Sequence, residues 1–213
     1  MKIAVSYLKS KKDLESTIKG IDASSADYIH VDLMDGVFVE NKNDDLSMHV
    51  NALKNASKKL DVHLMMQGQA LTRGIETMSL LNPEYITIHS EIEDVEKHIE
   101  QIKKKNIKVG LAINPDTYII KLRPYLREID KIIVMSVYPG KGGQSFLEKT
   151  ISKLAVIKEI IDDNKYNIDL EIDGGINEET IKQVQPYIDT AVSGSYICMS
   201  EDMEHQINKL KSI

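Results

Sequence analysis

Cys198 is the only cysteine in the chain, so neither an internal disulfide nor a cysteine-based zinc cluster can form. A lone thiol fits a reducing cytoplasm, and its expected role is that of a small packed hydrophobe. Positive charge is not in excess either: 27 lysines and arginines face 33 aspartates and glutamates, for a net charge of −6. That balance argues against a broad footprint on nucleic acid or on an anionic membrane. No stretch approaches the roughly eighteen apolar residues of a membrane span, and Met1 to Ser6 lacks the apolar core of a signal peptide. The expected location is the cytoplasm, and the expected partner is a small molecule. Linkers and low-complexity tracts are missing too. With 42% hydrophobic and 28% charged residues over 213 positions, residues 1–213 read as a single globular domain.

What the chain does have is a repeating rhythm. Short apolar runs read as strands at Lys2 to Leu8, Tyr28 to Met34, Leu60 to Met65, Tyr85 to His89, Ile107 to Ile113, Lys131 to Val137, Ile168 to Ile172 and Ile188 to Val192. Between and after them, helical spacing appears over Lys11 to Gly20, Leu46 to Ala56, Ala70 to Leu81, Ile92 to Lys105, Tyr118 to Leu126, Phe146 to Asp162, Glu178 to Val184 and Glu204 to Leu210. Eight strand-then-helix units at intervals of roughly 20 to 30 residues most simply close into a single (β/α)8 barrel, an α/β fold. A doubly wound open sheet is the alternative.

Barrel enzymes gather their chemistry at the carboxyl ends of the strands. Ser6, His30, Asp32, Met34, His63, Met65, His89, Asn114, Asp173 and Ser193 all fall at or near such ends. His30, Asp32 and Met34 share one face of their strand. Two imidazoles and two carboxylates, His30, His63, Asp32 and Asp173, form a donor set for one divalent metal ion, with zinc, ferrous iron, manganese and cobalt all suited. Taken singly, either histidine reads first as a core imidazole, and it is the four residues at equivalent strand ends that favour the metal. Asp32 and Asp173 lie three positions apart around an eight-strand ring, so a substrate between them meets one carboxyl on each face. Inverting a carbon beside a carbonyl needs that arrangement, because a single base returns the proton to the face it left. Capping of the Gly174-Gly175 turn is the structural alternative for Asp173.

Three glycine-rich loops follow the last three strands: Pro139 to Ser145, Asp173 to Gly175, and Ser193 to Ser195. Glycines let backbone N–H groups converge on an anion, and barrels often hold phosphate there. Lys141 adds charge for such a phosphate if it points inward, and is a solvated loop lysine otherwise. Met34, Met65 and Met66 are core filler or an apolar floor at the mouth. His49 is expected in solvent, and Lys103 to Lys105 at an exposed helix end.

These motifs resemble the ribulose-phosphate 3-epimerase family over nearly the whole chain. The likeness is carried by His30-Val31-Asp32-Leu33-Met34-Asp35-Gly36 with Phe38, Val39 and Asn41, by His63-Leu64-Met65, and by Gly110 to Pro115. Val134 to Val137, Pro139-Gly140 with Gly142-Gly143-Gln144 and Phe146, Glu171 to Gly175, and Ser193 to Ser195 complete it. The resemblance implies a (β/α)8 barrel and a metal-dependent epimerase that inverts C3 of a ketose phosphate. It implies interconversion of D-ribulose 5-phosphate and D-xylulose 5-phosphate through a metal-stabilised cis-enediolate. It assigns His30, Asp32, His63 and Asp173 to the metal, and Asp32 and Asp173 to proton transfer. Substrate contact falls to Ser6, Met34, His63, Met65, Gly142, Gly143, Gln144, Ser145, Gly174, Gly175, Gly194 and Ser195. A homo-oligomer, dimeric or hexameric, is also implied.

The chain departs from the family pattern at Val37, Glu40, Tyr138, Lys141 and Met66 to Gln69, all in mouth loops. These departures keep open a hexulose phosphate such as D-allulose 6-phosphate as substrate. A phosphosugar decarboxylase is disfavoured, since no lysine stands in His30 to Asp35. A non-catalytic phosphosugar-binding barrel is a further alternative, although binding alone has no use for opposed acids.

Overall fold

The computed structural model describes residues 1–213. Its eight strands are β1 (Lys2–Ser6), β2 (Tyr28–Met34), β3 (Lys59–Met65), β4 (Tyr85–His89), β5 (Lys108–Ile113), β6 (Lys131–Met135), β7 (Asp169–Asp173) and β8 (Thr190–Ser193). All pair in parallel in chain order, and β8 returns to β1, which closes the barrel and removes the open sheet from consideration. The helices on the outside are α1 (Leu14–Ala23), α2 (Leu46–Leu53), α3 (Gly68–Ser79), α4 (Val95–Lys103), α5 (Lys149–Asn164), α6 (Thr180–Val184), α7 (Ser195–Cys198) and α8 (Met203–Lys211). No helix is long and apolar enough to cross a membrane.

Strand alternation divides the barrel into two interiors. Ile29, Val31 and Leu33 of β2, and Val62 and Leu64 of β3, point outward into one apolar core of 46 buried residues between sheet and helices. The other parity points into the barrel. There the side chains are largely polar: His30 and Asp32, Asp61 and His63, Thr87 and His89, Lys131, and Glu171, all buried. Small apolar layers, Ala4 with Tyr28, Tyr85 and Val192, and Ala112 with Ile133, Met135 and Val137, fill the space around them. Close packing reaches the backbone: a methyl on Gly110 would sit 2.0 Å from Thr87 Oγ1.

Several expected boundaries shift for identifiable reasons. The first helix begins at Leu14 rather than Lys11 because the Asp13 side chain accepts from the Ser16 N–H and caps it. The segment at Ile119–Tyr125 is a 3-10 turn containing Pro124, which cannot continue an α-helical ladder. Helix α7 is four residues long, too short to leave a periodic signature. His49 is not in solvent. It is 3% exposed on α2, with Nδ1 2.9 Å from the Tyr7 hydroxyl. Cys198 packs as expected, 3% exposed, and burial pushes its thiol up to about 12.

Candidate active site at the carboxyl ends of the strands

The β2–β3 register sets Asp32 opposite His63 and Met34 opposite Met65, and β7 ends on Asp173. Ligand atoms from His30, Asp32, His63 and Asp173 all lie within 4.8 Å of one another. Asp32 Oδ1 is 3.1 Å from His63 Nδ1 and 3.3 Å from His30 Nε2. Asp173 Oδ2 is 3.6 Å from His63 Nδ1 and 3.9 Å from His30 Nε2. Both carboxylates thus share the same two ring nitrogens. The Ser6 hydroxyl donates to the other oxygen of Asp32 at 2.6 Å.

Turn chemistry in this stretch is handled by Asp35 instead. Its carboxylate accepts from the Val37, Phe38 and Gln67 N–H groups. Asn43 fixes the backbone just before it, on both sides of Leu33, accepting from the Met34 N–H and donating to the Asp32 carbonyl. Asp32 is left free for the interior.

The donor set fits a divalent cation. His30 Nε2 is buried, and although Asp32 Oδ1 lies 3.3 Å away it makes no well-aligned hydrogen bond, an arrangement that is costly unless something occupies that direction. Burial alone would lower the basicity of both imidazoles. Hydrogen bonds and charge from the carboxylates outweigh it, raising His63 to about 9 and His30 well above its ordinary value. Burial likewise opposes ionisation of Asp32, but the two histidines hold its carboxyl well below the usual carboxylate range. The carboxylates therefore favour positive charge at the point where the ring nitrogens meet, and a bound cation supplies it without protons.

Beneath this layer lies a second one that the sequence reading missed. His30 Nδ1 is 2.9 Å from Asp61 Oδ2. Lys131, fully buried, sits between two carboxylates, 2.8 Å from Asp61 and 2.6 Å from Glu171, with its ammonium 4.1 Å from the Tyr85 ring centre. Burial and the Asp61 charge push Glu171 up to about 8 against the pull of Lys131. On the other side, His63 Nε2 meets His89 Nε2 at 2.8 Å, and His89 Nδ1 meets Glu91 at 3.2 Å. Burial, aided by the nearby His63, lowers His89 to about 4, so it is neutral. It donates to Glu91 and accepts from His63, which leaves His63 Nδ1 free to face the carboxylates.

Above the carboxylates opens a cleft lined by Ser6, Asp32, Met65, Asp173 and the three glycine loops. Ser6, Met65, Gly142, Gly143, Gln144, Gly174, Gly175, Gly194 and Ser195 line it as the sequence suggested. Met135, Val137 and Lys9 line it unforeseen. His30 and His63 lie below the floor, fully buried, Met34 is buried without lining the cleft, and Ser145 lines the adjoining hollow. The Gly174-Gly175 pair is required by its surroundings. Both have positive φ, 122° and 66°, and added methyls would lie 2.5 Å from Val137 Cγ2 and 2.7 Å from Phe146 N. The Gln144 side chain is committed to its own loop, donating to the Tyr138 and Lys141 carbonyls. Lys141 borders the cleft, but its side chain is exposed and its ammonium lies 3.6 Å from Glu40.

A model of the ribulose-phosphate 3 epimerase family matches residues 2–198. The chain belongs to this family. Its members include the ribulose-phosphate 3-epimerase of Helicobacter pylori strain J99, 37% identical over 222 residues that cover 100% of this chain and 98% of that protein. The ribulose-phosphate 3-epimerase of Escherichia coli K12 is 34% identical over 202 residues, covering 93% of this chain and 88% of that protein. Among solved structures, 3-hexulose-6-phosphate synthase from Salmonella typhimurium superposes with a TM-score of 0.71 at 16% identity, covering 100% of this chain and 97% of that one. That likeness speaks for the barrel alone. Membership in the ribulose-phosphate 3-epimerase family makes the chain an epimerase of pentose-phosphate carbohydrate metabolism.

Proposed function

We propose that residues 1–213 act as one barrel domain that inverts C3 of a ketose phosphate, interconverting D-ribulose 5-phosphate and D-xylulose 5-phosphate. One observation carries the reading: Asp32 and Asp173, from strands on different sides of the mouth, both line the cleft while sharing the two imidazoles beneath it. One carboxylate takes the C3 proton. The other, protonated, delivers a proton to the opposite face. After a turnover the two have exchanged states, so each direction of the reaction uses the complementary acid. The Ser6 hydroxyl and the paired imidazoles set Asp32 in place before substrate arrives. Met65 and Met135 supply an apolar wall that keeps water from the reacting carbon. The free N–H groups of the glycine loops receive the phosphate.

His30, Asp32, His63 and Asp173 would hold a divalent metal ion, which would supply positive charge to offset the negative charge that develops as the C3 proton leaves. Chelation should abolish epimerisation of ribulose 5-phosphate, and a divalent ion should restore it. Full turnover by a verified metal-free preparation would defeat the assignment of the four ligands. Running allulose 6-phosphate beside the pentulose phosphate tests the substrate, since turnover of the hexulose phosphate alone would reassign it.

The relay behind His63 yields a second expectation. Replacing Glu91→Gln removes the carboxylate that holds His89 in its tautomer, and with it the orientation of His63. Metal affinity should fall by about 10- to 100-fold, measured by competition with a chromogenic chelator. An unchanged affinity would show that His63 needs no such support.

A further inference from the structure

We infer that Lys9 is the cation that reads the substrate's phosphate, and so sets the preference for phosphorylated over neutral ketoses. This rests on the function proposed above. Lys9 follows β1 at the mouth, and its side chain lies along the glycine loop between β6 and α5. A methyl built on Gly142 would sit 3.2 Å from Lys9 Cβ, and one built on Gly143 would sit 2.7 Å from its Nζ. The stem therefore crosses Gly142 and the ammonium ends over Gly143.

Three further facts point the same way. Lys9 lines both the catalytic cleft and the adjoining hollow, and Gly143, Gly175 and Gly194 line the same two spaces. The loop N–H groups of Gly142, Gly143 and Gly175 donate to nothing within the protein, so they remain available to an anion beside the ammonium. Lys9 itself has no carboxylate partner. Its neighbour Lys11 binds Glu201 at 2.6 Å, and Lys141, the lysine of the glycine loop, faces Glu40. In a chain of net charge −6, an unpaired cation over a set of free N–H groups favours a dianion there and repels nothing about it. A neutral ketose gains nothing from that charge, which is why Lys9 separates the two substrate classes.

The test compares K9Q, the conservative K9R, and K12Q as a charge control, all on exposed residues. For K9Q the KM for ribulose 5-phosphate should rise by about tenfold or more, as for loss of a hydrogen bond to a charged group, with kcat unchanged. K9R should return KM to near the wild-type value, and K12Q should match wild type. Calorimetric titration with inorganic phosphate reads the same site without turnover, and K9Q should bind it at least as much more weakly. Equal phosphate affinity of wild type and K9Q, including no measurable binding by either, would overturn the inference. A wild-type protein that binds phosphate through Lys9 yet turns over no ketose phosphate would instead defeat the proposed reaction.

Discussion

Asp173→Asn should lower the rate of epimerisation by about 10²- to 10⁴-fold, the range that a positioned acid or base contributes. The amide keeps the shape and the packing of the strand end but neither takes nor delivers a proton. In the proposed scheme Asp173 and Asp32 act on opposite faces, so loss should be lopsided. The remaining carboxylate still removes the C3 proton from the epimer that presents it, so that epimer should exchange C3 hydrogen with deuterated solvent without being converted. Asp32→Asn should show the mirror pattern with the other epimer. Both variants also give up a carboxylate at the metal site, so metal content is measured alongside, and rates are compared at saturating metal. If Asp173→Asn epimerises at the wild-type rate, or if neither epimer exchanges in either variant at saturating metal, the two-sided scheme fails.

The second large effect concerns stability. Lys131→Met fills most of the volume yet leaves Asp61 and Glu171 buried without their cation. Removing one partner from a buried ionic cluster costs about 3 to 5 kcal/mol, because the charges left behind remain desolvated. Urea unfolding should show that loss. Glu171 is already pushed up to about 8 by burial and by Asp61, so it lies close to its neutral form. The double variant Lys131→Met with Glu171→Gln should therefore recover part of the loss. A single variant as stable as wild type, or a double variant less stable than the single, would show that the cluster is not held by its charges.

These two expectations also mark what the sequence disclosed and what it hid. Strands β2 and β4 match the sequence reading to the residue because each is a short apolar run with a polar stop. The two proposed acids were legible as candidates because Asp32 and Asp173 each sit where a strand delivers a side chain to the mouth. Lys131 was hidden. A lysine at the first position of an apolar strand reads as an edge residue whose charge reaches water. Only closure of the barrel shows that it meets Asp61 from β3 and Glu171 from β7. A signal was nonetheless present: Asp61 precedes His63 by two, Glu171 precedes Asp173 by two, and His30 precedes Asp32 by two. Period-two alternation puts each pair on one face, so whatever places the second member in the barrel places the first there too. Lys9 was hidden for a different reason. It lies in a loop among Lys11 and Lys12, where composition says only that the surface is charged, and its place over Gly143 depends on how the loops after β1 and β6 meet.

The central claim is that protons reach C3 from two different side chains on two faces. It is tested most directly by converting protiated ribulose 5-phosphate in deuterium oxide and analysing both sugars early in the reaction by NMR. The account predicts xylulose 5-phosphate carrying a solvent deuteron at C3 from the first turnovers, while recovered ribulose 5-phosphate keeps its protium. Product that retains the substrate's own hydrogen at C3 would contradict it, since that hydrogen could have returned only by way of a single shared base.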